Sequence, residues 1–360
     1  MSQVQSIITG SGHYLPNKVM PNESFGSHSF YTEKGEPFSN ETADIIRKFY
    51  DITGIQERRY LEEDLKSSDM AAFAGKKAIA AAGINREDID QVIVAHNFGD
   101  IRHGSLVPDL MPSLAAKVKN LLNIKNPSCV AYDIIFGCPG WVQAMIQADI
   151  YIKSGNAQHC LVIGTEALSR VVDPSDRDSM IFADGAGAFV LSAGEGSVAA
   201  KTGMLTHASV THAMQDVNYL SMGESNKAEE ADNLYIKMQG RRIYNYALLE
   251  VPKAIKSCLD KANVHIDDVS KVLIHQANEK MDMAIGDRLY SLYGYDEMPK
   301  DKMPMNIQKM GNNSVATVPV LYDMIANGDL DGHSFGSGDL LVMASVGAGM
   351  SINAFLYRIP

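Results

Sequence analysis

What the sequence lacks narrows the class of protein. The chain of 360 residues has no basic and apolar N-terminal leader. No apolar run approaches the roughly 20 residues that a membrane span requires. We therefore expect a cytoplasmic protein that does not enter a membrane. Positive charge is also scarce: the net charge of −11 argues against a nucleic-acid partner, because such proteins gain affinity by neutralising phosphates.

Cysteine is sparse as well, and the four cysteines lie far apart without C-x-x-C spacing. They are Cys129, Cys138, Cys160 and Cys258. This pattern argues against a zinc site or a disulfide framework and favours free thiols in a reducing compartment. What the chain does contain is typical of a globular protein: 46% apolar and 21% charged residues. Its length allows two domains or two halves around one core.

Two segments repeat the same order of predicted elements. Residues 82–96 and 262–276 each follow a helical pattern and continue through an acidic turn into an apolar strand. Glycine turns that lead into alternating strands also occur in both parts of the chain, at 182–193 and 345–359. The repeat predicts two similar halves.

Strands that alternate with helices predict parallel βαβ units with both sheet faces covered. We expect an α/β fold with an N-terminal half at 1–197 and a C-terminal half at 198–360, meeting near the glycine-rich residues 194–197. Ligands in α/β proteins collect at strand ends, so the cleft should lie between the halves. The polar segments 24–41 and 220–234 are predicted to be loops.

Cys138 stands where a predicted strand, 129–135, gives way to a predicted helix, 139–155. Proline suits the first helical position, which places Cys138 at the N-cap. There the helix dipole would favour a thiolate and lower the thiol pKa. Gly137 leaves room for a sharp bend and for a substrate. A small buried core thiol is the alternative, and it is the preferred interpretation for the other three cysteines.

Partners for a nucleophilic thiol occur at similar junctions later in the chain. His275 directly follows the predicted strand 272–274. Asn312 lies in a Gly-Asn turn before an apolar helix, although taken alone it could be a turn residue. The glycine run 347–349 follows another predicted strand and could offer a backbone N–H to an oxyanion.

Two patterns suggest other chemistry but do not fit it. The string 10-GSGHYL-15 begins like a dinucleotide fingerprint, yet the third glycine is absent. His96, Asp100 and His103 have a spacing that matches no common metal site, which favours a loop. We therefore expect neither a cofactor nor a metal.

The chain resembles the thiolase-superfamily condensing enzymes, most closely β-ketoacyl-ACP synthase III. The resemblance covers nearly the whole chain and rests on 8-ITGSGHYLPNKV-19, 53-TGIQERRY-60, the Cys138 junction, 173-DPSDR-177, 182-FADGAGA-188, 275-HQAN-278, 311-GNNS-314 and 347-GAG-349. It implies a thiolase-like fold of two repeated α/β halves in five αβαβα layers.

The resemblance also implies a Cys–His–Asn triad formed by Cys138, His275 and Asn312. Cys138 would take an acyl group from acyl-CoA or acyl-ACP. His275 and Asn312 would then bind the thioester carbonyl of malonyl-ACP and support its decarboxylation, giving a β-ketoacyl-ACP at the start of fatty-acid biosynthesis. The backbone N–H groups of Cys138 and of Gly347-Ala348 would hold the oxyanion.

Substrate contacts carried over from the family fall on Arg177, Asn278 and Met111. The family commonly grips the CoA adenine and phosphate with a tryptophan and an arginine, and those positions hold Lys48 and Ile52 here. Met111 lies in a segment that reaches the partner subunit's acyl pocket in the family. A homodimer is therefore implied.

Acyl carrier protein is acidic, so its docking requires a local basic patch. The candidates near the His275 helix are Arg241, Arg242, Lys253, Lys256 and Lys280. A charged helix face is, however, solvated by default.

Other functions stay open beside this one. The first is a specialised synthase III-like ketosynthase or acyltransferase of secondary metabolism, making polyketides, alkylresorcinols or similar products. The second is a thiolase-fold binding protein without catalysis. A biosynthetic thiolase would need a second cysteine near the C-terminal glycine run, where the chain has none.

Overall fold

The computed structural model describes residues 4–195, 202–228 and 233–360. The strands in these residues are β1 (Val4–Tyr14), β2 (Lys18–Pro21), β3 (Glu57–Tyr60), β4 (Gln91–Ala95), β5 (Val130–Ile134), β6 (His159–Ala167), β7 (Asp184–Glu195), β8 (Gly203–Thr211), β9 (Leu220–Glu224), β10 (Leu234–Met238), β11 (Val269–Ile274), β12 (Leu340–Gly347) and β13 (Ser351–Arg358). The helices are α1 (Thr42–Thr53), α2 (Ser67–Ala82), α3 (Leu114–Leu121), α4 (Gly140–Lys153), α5 (Ala213–Asp216), α6 (Gly240–Ala262), α7 (Glu279–Ser291), α8 (Ile307–Met310) and α9 (Thr317–Ala326). No helix in the described parts of the chain has the length and apolar character that crossing a membrane requires.

Both main sheets are mixed, which corrects the expectation of parallel βαβ units throughout. The first sheet has the order β1-β7-β6-β4-β5, and only β4 with its two neighbours is parallel. The second has the order β11-β12-β13-β8, and only β11 and β12 are parallel. A parallel return requires a long crossover, whereas β12 and β13 are joined by three residues and therefore pair as a hairpin.

Helices separate and cover the two sheets. Between the sheets lie α4 and α9, where Trp141 packs against Phe189 of the first sheet and Phe355 of the second, with ring centroids 4.8 and 6.3 Å apart. On the outer face of the first sheet lie α2 and α3. On the outer face of the second lie α6 and α7. The predicted α/β fold with five αβαβα layers is therefore confirmed.

The middle layer joins the two parts of the chain. Helix α9 packs on β1 and β7, while α4 packs on β12 and β13, so each sheet is covered by a helix from the other part. The Ile8 N–H also donates to the Tyr357 hydroxyl, at 2.9 Å. We propose 1–197 and 198–360 as the two repeated halves. Of the predicted boundary at 194–197, residues 196 and 197 lie outside the described residues.

The segment 220–234 is not a simple loop. Strands β9 and β10 pair antiparallel, with Leu220 opposite Met238, and residues 229–232 of the connection lie outside the described residues. Charged and small residues around the turn dominate the composition of this segment, so its sequence pattern does not indicate the two strands. The other predicted loop, 24–41, has only a short helical turn at Asn22–Phe25 and an isolated bridge from Tyr31 to Pro37.

Asp282 is a fully buried carboxyl in α7 whose side-chain oxygens have no well-formed hydrogen bond among the described residues. Burial raises its pKa well above the ordinary value and outweighs the nearby backbone N–H groups of Asn278 and Ala277. Because the folded-state pKa lies above the unfolded one, the unfolded chain ionises first as the pH rises, and stability then falls. We expect Asp282→Asn to stabilise the protein at pH 7.5 by about 2 kcal/mol.

Urea unfolding at pH 7.5 and at pH 4 checks this expectation, since the gain should shrink towards the lower pH. Asp184→Asn is the matched control. Asp184 is equally buried and burial raises its pKa to about 6, but its oxygens accept hydrogen bonds from Leu61 N–H and from the N–H and hydroxyl of Ser169, which an amide nitrogen could not accept. It should lose stability on substitution. A gain at Asp282 that does not change with pH would rule out ionisation as the cause.

Candidate active site

Cys138 lies at the turn from β5 into α4, as the sequence predicts, but one residue further from the helix. The N-cap is Pro139, and α4 begins at Gly140. Gly137 has a φ of +69°, and a Cβ atom there would stand 2.8 Å from the Ala348 backbone nitrogen. Glycine is therefore required at 137 both for the backbone conformation and for the approach of the 347–349 segment.

The thiol pKa is raised, so the predicted lowering was wrong. Burial raises the pKa of Cys138 to about 11, and the negative charge of Glu166 acts in the same direction. A hydrogen bond from the Ser314 hydroxyl opposes these effects without overcoming them. Cys138 is therefore a neutral thiol at pH 7 in the substrate-free protein.

His275 lies directly after β11, where its backbone N–H donates to Ala344 O at 2.9 Å and extends the pairing with β12. The imidazole is buried, and burial lowers its pKa to about 4 against the opposing effect of a hydrogen bond with the Ser314 backbone. The ring is therefore neutral at pH 7, with one N–H and one lone pair. Helix α7 starts at Glu279, four residues after His275, and the side chain of Asn278 caps it by accepting from Met281 N–H.

Asn312 connects the two halves through its backbone. Its N–H donates to Ile181 O at 2.9 Å, and its C=O accepts from Ala183 N–H at 2.8 Å. The side-chain Oδ1 accepts from the Ser314 N–H at 2.9 Å. This contact fixes the orientation of the amide, because the oxygen is engaged and the Nδ2 donors are left for another group.

Ser314 contacts all three predicted triad residues. Its hydroxyl donates to Cys138 Sγ at 3.2 Å, its N–H donates to Asn312 Oδ1, and its backbone hydrogen-bonds with the His275 ring. Cys138, His275 and Asn312 therefore converge at one point between the halves. The sequence reasoning did not select Ser314, although it lies in the quoted 311–314 motif.

The predicted oxyanion segment lies against the nucleophile. A Cβ atom at Gly347 would come within 2.5 Å of the Cys138 backbone nitrogen. The backbone nitrogens of Cys138 and Ala348 therefore both belong to a close contact between the two turns. An oxyanion hole uses two neighbouring backbone N–H groups, and these two nitrogens are the candidates for it.

A small apolar pocket of about 140 Å³ opens beside Cys138. Its lining residues come from both halves and from the β9–β10 hairpin: Asn97, Phe98, Gly137, Cys138, Leu168, Phe182, Leu220, Ser221, Met222, Ile236, Ser314 and Ala348. A dry cavity of roughly 150 Å³ holds a molecule the size of benzene. Within one chain the pocket therefore accommodates a short apolar group.

A larger groove of about 770 Å³ leads from the surface to Asn312. The structure brings Arg177, Asn278 and Arg241 together in its wall, with Lys48 and Ile52. The Arg177 guanidinium lies over the ring of Phe38, 5.0 Å from its centroid. The sequence reasoning missed Phe38 because it treated 24–41 only as a loop. The available signal was the four aromatic residues of that segment, Phe25, Phe30, Tyr31 and Phe38.

The remaining predicted residues do not form one basic patch. Lys253 pairs with Glu250 at 2.8 Å and Lys256 with Asp260 at 2.7 Å, so part of the proposed charge is neutralised along α6. The Arg242 guanidinium lies over the Tyr219 ring, 5.4 Å from its centroid, and Lys280 is exposed. Met111 is 89% exposed and lies outside the Cys138 pocket of its own chain.

The residues His96, Asp100 and His103, whose spacing matches no common metal site, contact neighbouring side chains and backbone in a loop. His96 Nε2 lies 3.0 Å from an Asp133 carboxylate oxygen, and Asp100 accepts hydrogen bonds from the N–H and hydroxyl of Ser68. His103 lies 3.8 Å from Glu63 at the surface. Among the residues in 4–195, 202–228 and 233–360, no cluster of potential metal ligands occurs.

Five αβαβα layers, with a cysteine, a neutral histidine and an asparagine converging between two halves, define a thiolase-fold enzyme of acyl transfer. Two sequence profiles match the chain: 3-oxoacyl-[acyl-carrier-protein] synthase III at residues 132–207 and its C-terminal counterpart at residues 259–359. The chain belongs to the β-ketoacyl-[acyl-carrier-protein] synthase III family.

Individual relatives are similar to this chain over nearly their full lengths. The β-ketoacyl-[acyl-carrier-protein] synthase III of Cereibacter sphaeroides is 32% identical over 359 residues, covering 99% of both chains. That of Aquifex aeolicus is 34% identical over 355 residues and 98% of both chains. The crystal structure of the Aquifex aeolicus 3-oxoacyl-[acyl-carrier-protein] synthase III superposes with a TM-score of 0.79, covering 98% of this chain and 99% of that one.

Proposed function

We propose that the protein catalyses the decarboxylative Claisen condensation of an acyl group with malonyl-ACP, giving the β-ketoacyl-ACP that initiates fatty-acid biosynthesis. The observation that carries the proposal is the convergence of Cys138, His275 and Asn312 on Ser314 beside a small apolar pocket. Membership of the synthase III family supports the same reaction.

In the first half-reaction the Cys138 sulfur attacks the thioester carbonyl of the acyl donor. A bond forms between the sulfur and the acyl carbon, the bond to the carrier sulfur breaks, and the thiol proton ends on the departing carrier thiol. The turn at Gly347-Ala348 and the Cys138 N–H stabilise the tetrahedral oxyanion. The acyl group then occupies the pocket of about 140 Å³.

In the second half-reaction malonyl-ACP loses CO2, and its thioester carbonyl becomes an enolate. Asn312 Nδ2, whose amide is already oriented, donates a hydrogen bond to that oxygen. The neutral His275 ring donates the second, once its one N–H turns from the Ser314 backbone to the enolate. The enolate carbon attacks the acyl thioester, a carbon–carbon bond forms, and the Cys138 thiolate leaves and takes up a proton. The products are β-ketoacyl-ACP, CO2 and free enzyme.

The groove that ends at Asn312 is the proposed path of the carrier arm. Arg177 with Phe38 offers a flat cationic surface, Lys48 offers a charge for phosphate, and Asn278 lies close to the inner end. We propose that acyl-CoA or acyl-ACP delivers the acyl group through this groove. All four cysteines are free thiols, which supports a reducing compartment, the cytoplasm.

A turnover assay tests the proposed function. Acyl-CoA and acyl-ACP donors of increasing chain length are supplied with malonyl-ACP, and CO2 and β-ketoacyl-ACP are measured together. We expect the two products in equal amounts, with short acyl groups preferred. Acyl transfer without CO2 release would contradict condensation and favour the acyltransferase alternative.

We propose that the acidic acyl carrier protein docks at the groove mouth around Arg241, with Arg242 and Lys280 beside it. Arg241 is exposed and lines the groove, which places its charge beside the route to Asn312. Arg241→Glu is expected to lower the association rate with malonyl-ACP about tenfold at low salt, and the difference should fade as salt rises.

Lys253→Glu is the matched control for docking, because Lys253 lies on the same helix but is paired with Glu250. The association rates of wild type and the two variants with malonyl-ACP are compared by stopped flow at several salt concentrations. Equal rates for Arg241→Glu and wild type would exclude this face as the docking site.

We also propose a homodimer formed along β5. This strand ends the first sheet within the described residues, and Val130 and Ile135 beside it are 52% and 62% exposed. An open apolar edge favours pairing with a second copy. Met111 would then reach the partner's acyl pocket. Light scattering should give twice the chain mass, and a concentration-independent monomer would contradict the proposal.

A further inference from the structure

A line of hydrogen bonds leads from the sulfur of Cys138 into the first half of the protein. The Ser314 hydroxyl donates to Cys138 Sγ at 3.2 Å. Asn97 Nδ2 donates to the Ser314 hydroxyl oxygen at 3.3 Å, and the Asn97 backbone N–H donates to the Glu166 carboxylate. Cys138 and Ser314 also line the acyl pocket together with Asn97, so the line runs along its polar side.

The direction of each hydrogen bond follows from its neighbour. Because Asn97 donates to the Ser314 oxygen, the one hydroxyl hydrogen is left for the sulfur. The Ser314 backbone is held in the left-handed region, with a φ of +51°, and its N–H is engaged by Asn312. Glu166 is 2% exposed at the end of β6 and fixes the backbone of Asn97. The hydroxyl therefore has little freedom to turn away from the sulfur.

We propose that Ser314 is a further catalytic residue, whose hydroxyl donates to the Cys138 sulfur as negative charge develops on it, and that Asn97 and Glu166 position this hydroxyl. The proposal rests on Cys138 as the nucleophile of the proposed function. Ser314 keeps its own proton throughout, and the Cys138 proton leaves with the carrier thiol in acylation. In condensation the same donor stabilises the thiolate that departs.

The negative charge that develops on the Cys138 sulfur requires a hydrogen-bond donor. Burial disfavours the Cys138 thiolate and raises the thiol pKa to about 11, and the Ser314 hydroxyl is the side-chain donor that acts against this effect. A hydrogen bond to a charged group is strong where the local dielectric is low. Its removal is expected to lower the thiolate population about tenfold.

The test is the pH dependence of Cys138 alkylation by iodoacetamide between pH 6 and pH 12.5, a range that spans both expected midpoints. Each sample is brought from pH 8 to its final pH only for the reaction, is followed by intact mass and is corrected with Cys138→Ala. In wild type the rate should rise with pH, because the thiolate is the reacting form. We expect Ser314→Ala to react about tenfold more slowly at pH 8 and its profile to shift upward by about one pH unit.

Two further variants keep the test decisive. Asn97→Ala keeps the Cys138 thiol and the Ser314 hydroxyl but removes the donor that orients this hydroxyl. A smaller effect in the same direction is therefore expected, with an alkylation rate at pH 8 about threefold below that of wild type. Ser345→Ala removes a buried hydroxyl without a hydrogen-bond partner in the described residues and should leave the profile unchanged. Thermal unfolding confirms that each variant is folded.

A Ser314→Ala profile with the wild-type midpoint would overturn the proposal, whether or not the overall rate falls, because a merely structural role changes the rate without moving the midpoint. Failure of the proposed function gives a different result: Cys138→Ala would still accept an acyl group. If Cys138→Ala is inactive while Ser314→Ala keeps the wild-type profile, only the role of Ser314 is rejected.

Discussion

Replacement of Cys138 by alanine is expected to abolish acylation and to lower kcat/KM for condensation by about 10⁴-fold or more. The thioester carbonyl that enters the apolar pocket then meets no nucleophile, since Cys129, Cys160 and Cys258 are buried in other parts of the structure. The substitution shortens a side chain that is already in a pocket wall, so the fold should persist. Acyl transfer and CO2 release are the quantities to measure.

Cys160→Ala is the matched control, because Cys160 is a fully buried thiol in β6 that packs in the middle layer. It should retain activity within about twofold per folded molecule and lose stability instead, by about 1 kcal/mol. Normal acylation by Cys138→Ala, or an equal loss of activity in Cys160→Ala, would contradict the assignment of the nucleophile.

The second large effect separates the two half-reactions. His275→Ala and Asn312→Ala are each expected to accept an acyl group on Cys138 but to decarboxylate malonyl-ACP about 10² to 10³-fold more slowly. Each removes one donor from the enolate oxygen, and the charge then develops in a buried site without compensation. Because the two donors act on one oxygen, the double variant should lose less than the product of the single effects.

Asn313→Ala is a matched control beside Asn312. Asn313 is also buried, but its side chain bonds to the Thr317 hydroxyl at 2.9 Å and its Nδ2 lies close to Gly185. We expect Asn313→Ala to lower stability and to keep its decarboxylation rate per folded molecule. Release of ¹⁴CO2 from labelled malonyl-ACP measures the rate, and an unimpaired rate in His275→Ala or Asn312→Ala would exclude that residue as a donor.

The positions of the site residues were predictable because each lies where a strand or turn meets a helix, and such junctions are visible in the sequence. Cys138 follows β5 and His275 follows β11 directly, while Gly347 ends β12. The resemblance to the synthase III family predicted the fold class as well. Helix starts were less predictable: α7 begins four residues after His275, because Asn278 provides the cap.

The electrostatics of the site were not predictable from local pattern. A cysteine near a helix start suggests a lowered pKa, yet burial from both halves raises the thiol pKa to about 11. Desolvation depends on what the distant chain packs against the sulfur, and adjacent residues do not encode that. Ser314 was missed for the same reason, since its role arises from a contact between residues 176 positions apart.

The polar composition of two segments also gave an incomplete prediction of their structure. The hairpin β9–β10 has a polar composition because the apolar residues that line the pocket, Leu220, Met222 and Ile236, alternate with small or polar ones. Phe38 is one of four aromatic residues in a mostly polar segment, and its stacking with Arg177 requires two loops that are distant in the chain. Such pairs become visible only when the chain is folded.

The central claim is that Cys138 carries an acyl group and gives it up to malonyl-ACP. Intact-mass spectrometry of the protein after incubation with a short acyl-CoA, before and after addition of malonyl-ACP, tests it most directly. We predict one added acyl group on the peptide containing Cys138, and its loss together with the appearance of β-ketoacyl-ACP. An acyl adduct that stays on the protein while malonyl-ACP remains unchanged, or an adduct on another residue, would contradict the account.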